Sequence, residues 1–120
     1  MNPFSDQARF MTACGQTVGE ENHSQFELYQ ALIAEEVGEL DQAQTPVEQL
    51  DALIDILVVT VGAIHSMGAD AEGAWQEVMR TNLAKIDPET GEVQRRKTDG
   101  KILKPPGWQP PCLDPYLQTR

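Results

Sequence analysis

Between residues 45 and 68 the chain reads TPVEQLDALIDILVVTVGAIHSMG: a marked helix start, a long apolar run and a glycine stop. Thr45 fits an N-cap, Pro46 the first helical position and Glu48 the third, so a helix is expected to run to about Met67 and end at Gly68. From Asp51 to Ile64 its only charges are Asp51 and Asp55. Such a helix needs cover around most of its circumference, which points to a helical bundle.

Three further helices are expected around it. Phe4, Ala8, Met11 and Val18 give residues 4–18 a weak amphipathic pattern. Ser24-Gln-Phe-Glu27 fits a capping box for a second helix reaching about Gln42, with Phe26, Tyr29, Leu32, Ile33, Leu40 and Ala43 on its buried side. Asp70 is expected to cap a fourth helix that carries Trp75, Val78, Met79, Leu83 and Ile86 on one stripe and ends before Pro88. The expected fold is therefore all-α: an antiparallel bundle of four main helices over residues 1–87. An irregular extension over 88–120 follows, with turns at Pro88-Glu-Thr-Gly91 and Thr98-Asp99-Gly100-Lys101. The stretch KPPGWQPPCLDPY holds five prolines and cannot be helical, so it is expected to lie along a surface of the bundle or of a neighbouring subunit.

Carboxylates intrude on this apolar pattern. At 100° per residue, Glu36 falls in the middle of the second helix's apolar stripe, Glu39 at its border and Glu35 nearer the edge. Asp51 and Asp55 lie about 40° apart on one face of the third helix. Turning carboxylates inward costs several kcal/mol unless a counter-charge compensates them. No Lys or Arg lies nearby in sequence, so a divalent cation is the expected compensation. The donors are all oxygen, which suits Mg²⁺ or Mn²⁺. Glu48 stacks on the same face as Asp51, although the capping box already employs it. His65 reads as a core or interface residue. Glu-x-x-His occurs only at Glu20–His23, ahead of the second helix and away from the acidic faces, which argues against a ferritin-like di-iron centre, and the absence of a Walker loop excludes a P-loop enzyme.

Charge narrows the partners. The net charge is −10, with −13 in residues 1–79 and +3 in residues 80–120. An acidic front of this size argues against a nucleic-acid polymer as ligand. A basic C-terminal third beside metal-binding acids suits a small polyphosphate, with Lys85 and Arg95, Arg96 or Lys97 as candidates for neutralising it. Asn82 and Lys85, one turn apart on the fourth helix, could contact a sugar or base and a phosphate. No membrane span or secretion signal is visible and Cys14 and Cys112 stand alone, which points to a cytoplasmic chain.

Glu-Glu-x-x-Glu at 35–39, an aspartate-bearing apolar helix and Asn82-x-x-Lys85 together resemble the MazG-like all-α nucleotide pyrophosphohydrolases. That superfamily includes dimeric dUTPases and phosphoribosyl-ATP pyrophosphohydrolase. The resemblance covers roughly residues 5–87. It implies metal-binding roles for Glu36, Glu39 and Asp55, with Glu35 beside them, and nucleotide contact for Asn82 and Lys85. It departs on the third helix, where the usual Glu-x-x-Asp meets Ala52 three residues before Asp55; Asp51 with Asp55, or Glu48 with Asp51, could restore the acid. The expected activity is Mg²⁺-dependent hydrolysis of a nucleoside triphosphate or related nucleotide to monophosphate and pyrophosphate. Glu35 and Glu36 are the expected catalytic acids, Glu36, Glu39, Asp51 and Asp55 the metal ligands, and a homodimer or homotetramer the assembly. The alternative is a non-catalytic metal- or nucleotide-binding helical regulator.

Overall fold

The computed structural model describes residues 1–117. Among these the chain is all-α, with four main helices in the expected order: α1 (Pro3–Ala13), α2 (His23–Gln42), α3 (Pro46–Ser66) and α4 (Ala71–Leu83). A short 3₁₀ turn follows at Asp114–Tyr116. No helix among the described residues is long and apolar enough to cross a membrane.

Residues Met1–Ala71, rejoined by Tyr116, form one compact unit. Its frame is the antiparallel pair α2–α3. Gln25 meets Ser66 through a side-chain hydrogen bond of 2.9 Å. One turn further along α2, Tyr29 lies against Gly62, where an added Cβ would stand 2.6 Å from the ring's Cδ1. A short 43–45 connection enforces this direction. The start of α3 is as expected: the Thr45 hydroxyl accepts from the Glu48 N–H at 3.1 Å and donates to the Glu48 carboxylate at 3.0 Å. The start of α2 is not. Asn22, rather than Ser24, caps it by accepting from the Gln25 N–H at 3.1 Å, and Ser24 instead donates to the Asn22 side chain. Gln25 then reaches across to Thr17 at both its N–H and its carbonyl, so this cap serves the tertiary fold as well as the helix.

α1 is shorter than its pattern implies, because Gly15 at φ +77° follows the Cys14 cap and ends it. Val18 therefore lies outside the helix, yet it still packs on the core of Met11, Tyr29, Val59 and Ala63. Met11 is fully buried, which contributes about 1.5–3 kcal/mol of apolar transfer free energy. His65 is buried, and its Nε2 lies 2.8 Å from the Phe4 carbonyl, tying α1 to α3.

Gly68 ends α3 at φ +74°, and a Cβ there would sit 2.8 Å from the Glu21 backbone nitrogen. The Ser66 carbonyl nearby accepts from the Asn22 N–H at 2.9 Å, so this corner joins two helix ends through backbone as well as through the Gln25–Ser66 side-chain bond. Gly68→Ala is therefore expected to cost about 3 kcal/mol, combining left-handed strain with a clash against immovable backbone. Gly91, also at φ +74° but in open space, provides the comparison: Gly91→Ala is expected to cost only about 1 kcal/mol. Urea unfolding of the two variants reads the difference, and equal losses would remove the clash.

Glu72–Pro115 form the second compact unit. α4 ends at Leu83 rather than running on toward Pro88, because Ile86 pairs with Val93 in an antiparallel bridge that no helix could make. Arg95 pairs likewise with Ile102 across the second expected turn. The proline-rich stretch folds back along α4: Trp108 Nε1 donates to the Thr81 carbonyl at 2.7 Å and the Cys112 N–H donates to Glu77 at 2.8 Å. Arg80, and then that backbone N–H, pull the Glu77 carboxyl down to about 2. The expected buried stripe on α4 is not buried throughout, since Trp75, Leu83 and Ile86 are exposed.

Candidate functional site

The α2–α3 register brings Glu36 and Glu39 of one helix to Asp55 of the other. One carboxylate oxygen from each lies within 4.8 Å of the other two. All three stay in good helix without distortion, so the convergence follows from helical period and pairing rather than from a loop. Glu36 and Asp55 are half-buried and Glu39 is exposed. Glu36 Oε2 is shut off from water without a hydrogen-bond partner, a costly condition for a carboxylate. Burial first, then the hydrogen bond and charge of Glu39, then the charges of Asp55 and Glu35, push the Glu36 carboxyl up to about 7. No Lys or Arg among the described residues relieves it.

A groove of about 560 Å³ opens beside this triad, with Glu39 common to both. Glu35, Glu39, Glu48 and Asp51 line it with Gln42 and Ala52. The structure thus places Glu36, Glu39 and Asp55 together, and Glu35 and Asp51 along the adjoining wall. Glu48 joins that wall while still bonded to Thr45, so its cap and its place in the groove are compatible. The expectation of many inward carboxylates is corrected: Glu35, Glu39, Glu48 and Asp51 are exposed, and only Glu36 and Asp55 lose much water. The cover expected around most of the third helix is incomplete too, with Leu50, Leu53, Ile54 and Leu57 all exposed on α3.

Asn82 and Lys85 belong to the second unit. Asn82 is exposed rather than embedded in an apolar stripe, and its Oδ1 accepts from Lys85 Nζ at 3.2 Å. Lys85 also lies over the Trp108 ring, 5.3 Å from its centroid. Arg96 is committed to Asp99 in a two-point ion pair and Arg95 donates to the Gly100 carbonyl, so both guanidiniums brace the turn they flank. Gln16 bonds the Tyr29 hydroxyl. Sequence reasoning missed Lys104, whose ammonium also sits over Trp108, at 4.7 Å; no periodicity exists in that segment to reveal it.

An acidic triad on paired helices, beside a groove lined by further acids, can hold a divalent cation and, through it, a phosphate chain. No curated protein matches the chain. The family model described as phosphoribosyl-ATP pyrophosphohydrolase matches residues 12–82, a span that contains the triad, every acid of the groove and Asn82. The match covers more than half of the chain, which therefore belongs to the phosphoribosyl-ATP pyrophosphohydrolase family, within the MazG-like all-α nucleotide pyrophosphohydrolases, enzymes that hydrolyse acid anhydrides.

Proposed function

We propose that this chain hydrolyses a nucleoside triphosphate, or a related nucleotide, to the monophosphate and pyrophosphate, using Mg²⁺ (or Mn²⁺) held by Glu36, Glu39 and Asp55. The carrying observation is Glu36 Oε2, out of water and unpartnered beside two further carboxylates. The groove supports the same reading: its walls are acidic, so a bare polyphosphate would be repelled from it and a cation-bearing one would not. When bound, the cation supplies neutralisation of phosphate charge and Lewis acidity.

The chain's own residues supply the rest. Asp51, one turn before Asp55 and on the groove wall, extends the ligand set toward the substrate. Glu35, exposed on the same wall, orients an attacking water and accepts its proton. Asn82 and Lys85 contact the nucleotide as a hydrogen-bonded pair. We place the chain in the cytoplasm, acting on a small molecule rather than on a membrane or nucleic-acid polymer, in keeping with its net charge of −10 and its two exposed free cysteines. The uncovered Leu50, Leu53, Ile54 and Leu57 lie at successive turns of one helix and favour self-association as a homodimer or homotetramer.

Mass-spectrometric product analysis over a nucleotide library, with Mg²⁺ or Mn²⁺, tests the proposal. Metal-dependent release of pyrophosphate and a monophosphate from at least one member is the expected outcome. Nucleotide binding with no turnover across the library would make the chain a binder instead. A monomeric mass by light scattering of the same sample would remove self-association.

A further inference from the structure

The second unit holds a basic corner in which Lys85 is joined by two residues that the proposed function leaves unassigned, Lys104 and Trp108. Lys85 and Lys104 both place their ammonium groups over the ring of Trp108, at 5.3 and 4.7 Å from its centroid, inside the range of cation–π attraction. The ring itself is fixed. Its N–H donates to the carbonyl of Thr81, a residue only 2% exposed, and its backbone N–H closes a turn onto the Pro105 carbonyl at 3.1 Å. Two positive charges gathered on one rigid platform repel each other. Among the described residues no carboxylate ion-pairs with either lysine; the Lys85 ammonium donates instead to the neutral Asn82 Oδ1.

A cavity of about 270 Å³ opens at Lys85, lined also by Asp87, Gln94, Leu103, Pro105 and Pro106, so that Lys104 is the chain neighbour of two lining residues. The one acid there, Asp87, accepts the Glu89 N–H at 2.8 Å and anchors a turn. This volume lies below the range of sites that enclose drug-sized ligands, so it suits a phosphoryl group or two and not a whole nucleotide. With two ammonium groups lying over its ring, Trp108 acts as a positioning residue rather than as a stacking surface for a base. Lys104 and Trp108 lie beyond the matched span of 12–82, so the family match assigns nothing to them.

We propose that Lys85 and Lys104, held over Trp108, form a binding site for the phosphoryl groups of a polyphosphate, built by the chain's C-terminal extension. The site needs no divalent cation, because its charge is already positive. It rests on the nucleotide reading above for the nature of the ligand, and it extends that reading by assigning Lys104 and Trp108.

Trp75 and Trp108 are the only two tryptophans, so Trp75→Phe makes fluorescence report Trp108 alone. In that background, with EDTA present, inorganic tripolyphosphate is expected to change the emission saturably. Lys104→Ala should raise the half-saturating concentration about tenfold through loss of a charged contact. Lys104→Gln should do the same, while Lys101→Ala should stay within about twofold and adenosine should leave the emission unchanged. Pyrophosphate and orthophosphate distinguish a site for the chain from one for a single group. Absence of a saturable response, or Lys104 variants that bind as tightly as the parent, overturns the site. Because EDTA silences the acid triad, Lys104-dependent binding in a chain that turns over no nucleotide would leave this site standing and defeat the hydrolytic reading. Turnover with no Lys104 dependence of binding would do the reverse.

Discussion

Asp55→Asn is expected to lower kcat/KM for the best nucleotide substrate by about 10³-fold, or about 4 kcal/mol of transition-state stabilisation. The substitution preserves volume and removes one negative oxygen from the triad that we propose as the cation site. Asp55 is the member of that triad contributed by α3, so nothing on α2 replaces it. Asp51→Asn should cost less, about tenfold, because Asp51 is exposed on the groove wall and outside the close triad. Unfolding cannot account for such a loss: Asp55 contributes to the charge that disfavours an ionised Glu36, so its neutralisation should leave the metal-free chain at least as stable. Steady-state pyrophosphate release, read beside melting curves in EDTA, checks both parts. An Asp55→Asn enzyme retaining more than a tenth of parent activity would move the reaction away from this triad.

The part of this site that helical geometry determines was legible in the sequence. Period alone puts Glu36 at the centre of the α2 stripe and Asp51 and Asp55 on one face of α3. The three-residue connection and the Thr45 cap then set the antiparallel register that joins them. What surrounds them was not legible. A helical wheel gives the direction of a side chain but not whether anything covers it, which is why the third helix reads as needing cover around most of its circumference while Leu50, Leu53, Ile54 and Leu57 stand exposed. The cap at Asn22 was missed because Gln25 is recruited by Thr17 and Ser66, partners 8 and 41 residues away. The second unit shows the same limit. Bonds spanning 27 and 35 residues, from Trp108 to Thr81 and from Cys112 to Glu77, set its path. Proline content there says only that the segment is not helical.

In EDTA the melting temperature is expected to fall as pH rises from about 5 to about 8, and Glu36→Gln should abolish most of that fall. The Glu36 carboxyl sits near 4.5 in the unfolded chain and is pushed up to about 7 in the folded one, by burial first and by Glu39 next. Between these values the folded chain holds a proton that the unfolded chain releases. The stability this group contributes is therefore complete below about pH 4.5 and lost as pH climbs through about 7. Glu77 titrates in the opposite sense, its contribution present above the ordinary carboxylate range and lost as pH falls through about 2, outside this window. Subtracting the Glu36→Gln curve removes every other group that titrates between pH 5 and 8. Mg²⁺ should reverse the trend, since it binds the carboxylates only when they are ionised. At a hundredfold excess over its dissociation constant it adds about 2.7 kcal/mol, or roughly 10 °C for a chain of this size. That gain should be large at pH 8, small at pH 5 and absent in Glu36→Gln. A parent chain whose melting point ignores Mg²⁺ at pH 8 would show that the carboxylates gather without a cation to hold.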